Sequence, residues 1–269
     1  MNSGKTLNSN WRKVASTIYR KPNDSKIYGT VDIDVTELEK FISKKRREGI
    51  KTTLTYLITL IVGKAIRNEV PELNTYVKRG RIIQREQVDA TVSVLLQGGQ
   101  MGSVKIDNTD QLSISELSEE IAGKIQQSRK GNENDTMQSK NLLSTIPWPF
   151  RSWVFKLYRM VTIGWGISIP GVGLSANSFG SYLVSNIGSV GLDTGYGALL
   201  PSSNVSIVLI LGNVIKKPVV INDEIVPRKI LTLSATLDHR VVDGSHGGKL
   251  FRAIKYYVKN PHLLDYPVR

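Results

Sequence analysis

The sequence feature that most constrains the fold is a pair of β-type runs near the C-terminus. The runs are NVSIVLILGNV and PVVINDEIVPRKILTLSATLDHR, at residues 204–214 and 218–240. Branched aliphatic residues and threonine dominate both runs, as is typical of strands in a sheet. Asn222 and Asp223 interrupt the second run with two residues that favour a tight hairpin turn. The sequence therefore predicts a sheet that contains antiparallel strands.

The rest of the chain alternates between strand and helix patterns, which predicts a mixed α and β domain. Strand patterns occur at residues 26–34, 75–86, 88–106 and 181–191. Helix patterns occur at residues 34–49, 52–70, 113–131 and about 246–259. Arg79-Gly80 predicts a hairpin turn, and the spacing of Ser113 and Glu116 predicts a capped helix start. No internal repeat and no Pro/Ala-rich linker is evident, so residues 1–269 are expected to form one domain.

Composition and charge argue against several classes of protein. The chain has no cysteine, which removes disulfides, thiolate nucleophiles and cysteine-based zinc sites. Its net charge of +13 comes from scattered basic residues, and the one dense cluster, at 44–48, ends a predicted helix, where cations are favourable. Because no nucleic-acid-binding motif accompanies this charge, we expect no nucleic-acid partner. The N-terminus lacks the apolar core of a signal peptide, so a cytoplasmic protein is predicted.

The motif DHRVVDG, at residues 238–244, carries the clearest chemical signal. It places His239, one of only three histidines, between a predicted strand and a glycine turn. Because the pKa of a free imidazole lies near 6.5, such a group can accept and return a proton at neutral pH. The residues alone leave two interpretations open, a general base facing a cleft and a buried histidine with satisfied nitrogens. The spacing of Asp238, His239, Asp243 and His246 matches no common zinc pattern, so no metal site is predicted.

Four segments together resemble the dihydrolipoyl acyltransferase catalytic domain of 2-oxo acid dehydrogenase complexes. They are YGTVDIDVTELEKF, EVPELNTYV, LVSNIGSVGLD and LDHRVVDGSHGGKLFRAIKYYVKNP. The likeness covers most of residues 10–130 and 178–262, and the histidine motif is also similar to that of chloramphenicol acetyltransferase. The resemblance implies an α/β (α+β) two-layer sandwich of the chloramphenicol acetyltransferase type. Its sheet would be mixed, with the helices on one face.

The resemblance also implies an activity and a catalytic set, His239, Ser185 and Asp243. The chain would move an acyl group between coenzyme A and a thiol such as dihydrolipoyl. His239 would be the general base that deprotonates the thiol, and Ser185 would stabilise the tetrahedral oxyanion. Asp243 would hold the histidine loop by pairing with an arginine near the N-terminus. Arg12 is the best match for that arginine, and Arg20 is a second candidate.

Asn186 and Gly244 would have supporting roles, Asn186 in the turn that follows Ser185. In the family the active site lies between subunits of a homotrimer, so histidine and serine would come from neighbouring chains. No lipoyl domain or peripheral-subunit-binding domain is recognisable in the sequence, so a lipoyl group would come from a lipoylated carrier protein. Two alternatives remain open: a non-catalytic trimeric scaffold, and an acyltransferase that acts on a small hydroxyl acceptor.

The segment from about 135 to 177 replaces a short connection in the family, and we call it the insert. It is rich in aromatic and apolar residues, namely Trp148, Phe150, Trp153, Phe155, Leu157 and Tyr158. We favour a helical hairpin packed on the surface of the domain. A contact between trimers or a lid over the substrate channel is the second interpretation. The third is contact with a membrane surface through residues 145–170, although prolines at 147, 149 and 170 disfavour a full span.

Overall fold

The computed structural model describes residues 25–95, 101–129, 147, 150–168, 177–200 and 203–265. The helices are α1 (Thr36–Arg47), α2 (Leu54–Asn68), α3 (Ile114–Arg129), α4 (Phe150–Tyr158) and α5 (Gly244–Lys259). A π-helix, Arg159–Gly164, continues α4. The strands are β1 (Lys26–Asp34), β2 (Thr75–Lys78), β3 (Arg81–Gln84), β4 (Ala90–Leu95), β5 (Met101–Ile106), β6 (Tyr182–Asn186), β7 (Ile207–Ile221) and β8 (Glu224–Asp238).

One mixed sheet of six strands organises the domain. Its order is β1-β8-β7-β6-β4-β5, while β2 and β3 form a separate hairpin. The pairs β1–β8, β7–β8 and β4–β5 are antiparallel, and β6 runs parallel to both β7 and β4. The antiparallel hairpin predicted at Asn222-Asp223 is thus confirmed as the turn between β7 and β8.

The main core lies between one face of this sheet and the helices. Buried residues of α1, α2, α3 and α5 share a single apolar cluster with alternate residues of the strands, among them Val92, Val184, Leu209 and Leu233. Helix α2 is buried along most of its length, from Leu57 to Ile66. The expected arrangement, a mixed sheet with its helices on one face, is therefore confirmed.

Strands β7 and β8 extend beyond the sheet as a two-stranded ribbon. Strand β6 ends opposite Leu211, and β1 begins its pairing with β8 only at Ile230. The register of β7 against β8 shifts between Leu211 and Val214. Pro218 faces Pro227 in the ribbon, where each strand has a free edge that needs no amide donor. The two strand-like runs in the sequence, 204–214 and 218–240, are separated by residues 215–217, whereas β7 continues through these residues and Pro218 along the free edge.

Several local signals in the sequence form the structures they predict. Asn222 and Asp223 both adopt left-handed backbone conformations, with φ of 51° and 62°. The Ser113 hydroxyl accepts a hydrogen bond from the amide of Glu116, and the Glu116 carboxylate accepts one from the amide of Ser113. The last helix begins at Gly244, slightly earlier than the predicted residue 246.

The described part of the insert is helical, but much of its apolar surface faces solvent. Phe150, Trp153, Val154 and Leu157 form one stripe on α4 and are 64, 74, 43 and 58% exposed. The structure shows one helix in the range of the predicted helical hairpin, and its apolar stripe is not packed on the described part of the domain. The hairpin itself stays a prediction. Trp148 and residues 169–176 lie outside the described residues. Across the described helices, none has both the length and the apolarity needed to cross a membrane.

Candidate active site

His239 follows the last residue of β8 and occupies the start of a tight turn. Its amide donates a hydrogen bond to the carbonyl of Ser25, next to the start of β1. Its ring nitrogen Nδ1 lies 2.8 Å from the carbonyl oxygen of Val242. A carbonyl oxygen can only accept, so Nδ1 carries the hydrogen, and Nε2 of the neutral ring keeps a lone pair that no group in the described ranges contacts. The residue is exposed, so Nε2 can meet a substrate.

The turn around His239 is held by an ion pair between its two neighbours. The Asp238 carboxylate is 6% exposed and accepts hydrogen bonds from Nε and a terminal nitrogen of Arg240, as well as from the Arg240 amide. This hydrogen bonding raises the pKa of the Arg240 guanidinium. Sequence reasoning considered Asp238 only as a metal ligand and missed this role. The Asp-x-Arg spacing within the motif was the signal that could have revealed it.

Asp243 caps helix α5. Its carboxylate accepts a hydrogen bond of 2.8 Å from the amide of Ser245 and lies 2.9 Å from Nδ1 of His246. The hydrogen bonds from Ser245 lower the pKa of Asp243 to about 2, so the group is ionised at neutral pH. Gly244 is the first residue of the helix, with open space around it. Arg12 and Arg20 lie outside the described residues, so a pair with Asp243 stays a prediction.

Ser185 lies near the end of β6, on the sheet face opposite the helices. Tyr182 and Val184 point into the main core, whereas Leu183 packs against a second apolar cluster. Because side chains alternate along a strand, Ser185 shares the face of Leu183. The residue is 8% exposed, and its hydroxyl makes no hydrogen bond within the described ranges. That hydroxyl is therefore available to donate to a ligand.

Asn186 secures the turn that follows Ser185. Its amide nitrogen donates to the Thr55 hydroxyl at 3.0 Å, which ties the turn to α2. Its side-chain oxygen accepts from the amide of Ser189, whose hydroxyl donates in turn to the Asn186 carbonyl. Beside this turn opens a cavity of about 290 Å³, whose lining includes Val94, Ile125 and Val190. Val94 and Ile125 belong to the main core or pack against it, so the cavity opens on the helix side of the sheet, whereas the Ser185 hydroxyl lies on the other face.

The turn after Ser185 is also pressed against the irregular part of β7. The Ile187 amide donates to the carbonyl of Leu211, and the Asn213 amide donates to the carbonyl of Leu192. Between these bonds, a methyl group added to Gly212 would lie 1.8 Å from the carbonyl oxygen of Asp193. Two backbones therefore meet here at a distance that only glycine permits.

We expect Gly212→Ala to lower the free energy of unfolding by about 2 kcal/mol or more, because one of the two backbones must move. The displaced turn should also reduce activity that depends on Ser185. The matched control is Gly123→Ala on α3, where a methyl group meets no atom within 4 Å and should stabilise by about 0.5–1 kcal/mol. Urea unfolding of the two variants measures both values. Equal stability of the two variants would contradict the close approach.

The predicted base and oxyanion donor lie far apart within one chain. Ser185 pairs with Ile210 on β7, and Ile210 pairs with Ser234 on β8. His239 is five positions beyond Ser234, past the end of β8. With about 3.3 Å per residue and about 4.8 Å between strands, the two residues are separated by roughly 16 Å along the sheet and about 10 Å across it. A single acyl carbon cannot contact both residues of the same chain.

No metal cluster is found within the ranges that the structure describes, where no group of three or more His, Cys, Asp or Glu side chains could hold an ion. The metal candidates considered in the sequence instead have other contacts. Asp238 pairs with Arg240, and Asp243 caps α5.

Comparison with protein families gives one match that spans most of the chain. The family model for 2-oxoacid dehydrogenases acyltransferase (catalytic domain) matches residues 7–143 and 176–265. The unmatched residues between these ranges fall within the insert. The match includes the predicted catalytic residues and both candidate arginines.

A curated relative agrees with this match. The dihydrolipoyllysine-residue acetyltransferase component of the pyruvate dehydrogenase complex of Rickettsia bellii is 27% identical over 214 residues. The alignment covers 80% of this chain and 41% of the relative. The chain spans about half the length of the curated relatives it matches.

Solved structures show the same fold. The probable dihydrolipoamide acetyltransferase from Listeria monocytogenes is similar with a TM-score of 0.66 and 20% identity, over 94% of this chain and 92% of that one. The cubic core of the pyruvate dehydrogenase multienzyme complex is similar with a TM-score of 0.64 and 18% identity, over 90% of this chain and 84% of that one. The fold class that the sequence predicted, the two-layer sandwich of this acyltransferase core, is confirmed.

Proposed function

The chain belongs to the family of 2-oxoacid dehydrogenase acyltransferase catalytic domains, and from this premise we propose that it transfers an acyl group between coenzyme A and a thiol acceptor such as dihydrolipoyl. The observation that carries the proposal is the state of the His239 ring. Its Nδ1 is committed to the Val242 carbonyl, which leaves Nε2 as a free base at an exposed strand end. A scaffold without catalysis would not need this arrangement.

The reaction follows from the chemistry of the two side chains. Nε2 of His239 takes the proton from the acceptor thiol, and the thiolate attacks the carbonyl carbon of the acyl thioester. The carbonyl oxygen becomes an oxyanion, to which the Ser185 hydroxyl donates a hydrogen bond. When the tetrahedral intermediate collapses, the bond to the leaving sulfur breaks, and that sulfur takes the proton from Nε2. His239 is then neutral again, so the cycle needs no further reactant.

The distance between His239 and Ser185 supports an active site shared between two chains. Because one acyl carbon cannot contact both residues of one chain, a second copy must supply one of them. We place His239 of one protomer opposite Ser185 of another in a homotrimer, the arrangement that the family resemblance implies and one in which every protomer gives each residue to one site. The cubic core among the structural neighbours is an oligomer, which agrees with self-association.

The other predicted residues support the histidine loop rather than the chemistry. Asp243 keeps α5 capped, and Gly244 opens the helix behind the loop. Arg12 is proposed as the charged partner of the Asp243 carboxylate, which is 56% exposed and can accept further donors. The dihydrolipoyl acceptor would be borne by a lipoylated carrier protein that docks at the channel.

The proposed function is tested by a screen of acyl donors. The full chain is incubated with a series of acyl-coenzyme A thioesters, and free coenzyme A is measured with dihydrolipoamide or a small alcohol as acceptor. We expect release that depends on dihydrolipoamide for at least one short acyl chain. Release with an alcohol alone would indicate the O-acyltransferase alternative. No release with any pair, from protein that is folded and oligomeric, would contradict the proposal.

A further inference from the structure

A cavity of about 370 Å³ lies beside the histidine loop, between the β2–β3 hairpin and the insert. Four basic side chains line it, and its lining contains no acidic residue. They are Arg79 from the hairpin, Lys156 and Arg159 from the insert, and Arg240 from the turn that carries His239. Three separate parts of the chain therefore direct positive charge into one concave space.

Among the residues that the structure describes, three of these four cations have no carboxylate partner. Arg240 is paired with Asp238, but no carboxylate contacts Arg79, Lys156 or Arg159 in the part of the chain that the structure describes. The sequence also has no Asp or Glu between Asp135 and Asp193, a stretch that contains most of the insert. Gathering like charges without counter-ions is unfavourable. Such a cluster is expected where an anionic ligand supplies the missing charge.

The cavity is a built feature, since a backbone hydrogen bond joins the hairpin wall to the insert wall. The Arg79 amide donates to the carbonyl of Gly164 at 2.9 Å, which fixes the hairpin turn to the end of the π-helix. Arg79 adopts a left-handed conformation, with φ of 50°, to make this turn. Thr162 is fully buried, and its hydroxyl donates to the carbonyl of Tyr158. A π-helix is rare and is frequently found at functional sites.

The insert wall of the cavity lies outside the part of the chain that the family model matches. Lys156 and Arg159, together with the rest of the π-helix, fall in the range 144–175 that the family model does not match. We propose that Arg79, Lys156, Arg159 and Arg240 form a phosphate-binding subsite for a small organic phosphate. Its ligand would be the phosphorylated end of the thiol or thioester that reaches His239. The identity of this ligand rests on the proposed function.

The lining favours an organic phosphate over a free anion or a large partner. Val77, Met160 and Ile163 add apolar surface beside the cations, which suits a carbon skeleton attached to the phosphate. The volume lies within the range of small-molecule sites. Guanidinium groups bind phosphate oxygens through paired hydrogen bonds, and lysine adds a point charge. Arg240, which lines the subsite, is the residue after His239 in the chain. The turn from Asp238 to Val242 therefore carries both the proposed base and one wall of the subsite.

Calorimetry with the full chain measures binding to the subsite in the absence of acyl transfer. The probe is adenosine 3′,5′-bisphosphate, which carries two phosphates and no thiol. We expect it to bind, and the double variant Lys156→Gln/Arg159→Gln to weaken binding about tenfold or more, because charge-assisted hydrogen bonds are lost. The single variants should each give part of this loss. The matched control is Lys216→Gln, an exposed lysine on the β7 ribbon, which should bind as the unaltered chain does.

Two results would overturn the subsite: no binding of the bisphosphate at millimolar concentration, or equal weakening by Lys216→Gln. Binding of inorganic phosphate as tight as that of the bisphosphate would overturn the choice of an organic phosphate.

Kinetics separate this inference from the proposed function. In the double variant, KM for an acyl-coenzyme A should rise about tenfold, whereas KM for the same acyl group on pantetheine, which lacks phosphate, should not change. Equal changes in the two KM values would count against phosphate recognition. If the unaltered chain transfers no acyl group at all, the proposed function fails, while the calorimetry still decides whether the subsite exists.

Discussion

Replacement of His239 by alanine is expected to reduce acyl transfer by about 10²- to 10⁴-fold, the contribution of a general base to such a reaction. Without Nε2 the acceptor thiol must lose its proton to water, so little thiolate forms next to the thioester. The ring is exposed and its removal leaves no cavity in the core, so the fold and the oligomer should be unaffected. The measurement is kcat with an acyl-coenzyme A and dihydrolipoamide, together with the molecular mass in solution.

The control for this variant is His262→Ala. His262 is also exposed, but it lies in the short helical turn after α5, away from the histidine loop. The His262→Ala variant also loses one imidazole and should keep an unchanged kcat. If His239→Ala keeps near-normal turnover, or if both variants lose activity equally, His239 is not the base. An inactive His239→Ala protein that has changed its oligomer would point instead to a structural role of the loop.

The sequence predicted best those features that depend on neighbouring residues. The turn at Asn222-Asp223 and the capped start at Ser113 need only a few adjacent residues to form. The position of His239 at a strand end followed from the alternating run before it and the glycine after it. In each case the interactions that favour the structure are between residues close in sequence, so the sequence alone predicts it.

Features that depend on distant or unpaired surfaces were not predictable in the same way. The continuation of β7 through Pro218 depends on the free edge that is left where β6 stops opposite Leu211, and no pattern within β7 records where that neighbour ends. The ion pair of Asp238 and Arg240 was missed because acidic residues near a histidine also suggest metal or catalytic roles. The apolar stripe of α4 has the spacing of a core-facing helix, yet it faces solvent in the single chain. Periodicity shows which residues share a face but does not show what covers that face.

The candidate site combines a feature that the sequence predicts with one that only the structure supplies. The resemblance assigned roles to Ser185 and His239, but the sequence holds no measure of the distance between them. The strand register supplies it, because Ser185 is level with Ser234 while His239 lies five positions further on. The family resemblance implies that histidine and serine come from neighbouring chains, and this offset of five positions gives a physical reason for that arrangement. If the two side chains act on one carbon, they must come from different chains.

Replacement of Ser185 by alanine is expected to lower kcat by about a hundredfold, the usual loss when one oxyanion donor is removed. The hydroxyl has no other hydrogen bond among the described residues, so its loss should leave stability nearly unchanged. The matched control is Ser43→Ala, which removes an exposed hydroxyl that donates to the Glu39 carbonyl within α1. An unchanged rate for Ser185→Ala would remove this residue from the mechanism.

Mixed oligomers of the two inactive variants then test whether the site is shared. Chains carrying His239→Ala and chains carrying Ser185→Ala are unfolded together in equal amounts and refolded. If each site takes its histidine from one protomer and its serine from the next, about one quarter of the sites in a random trimer regain both groups. Activity should then rise to about a quarter of the normal value, far above that of either variant refolded alone. If both groups came from one chain, every site would lack one of them, and mixing would restore nothing.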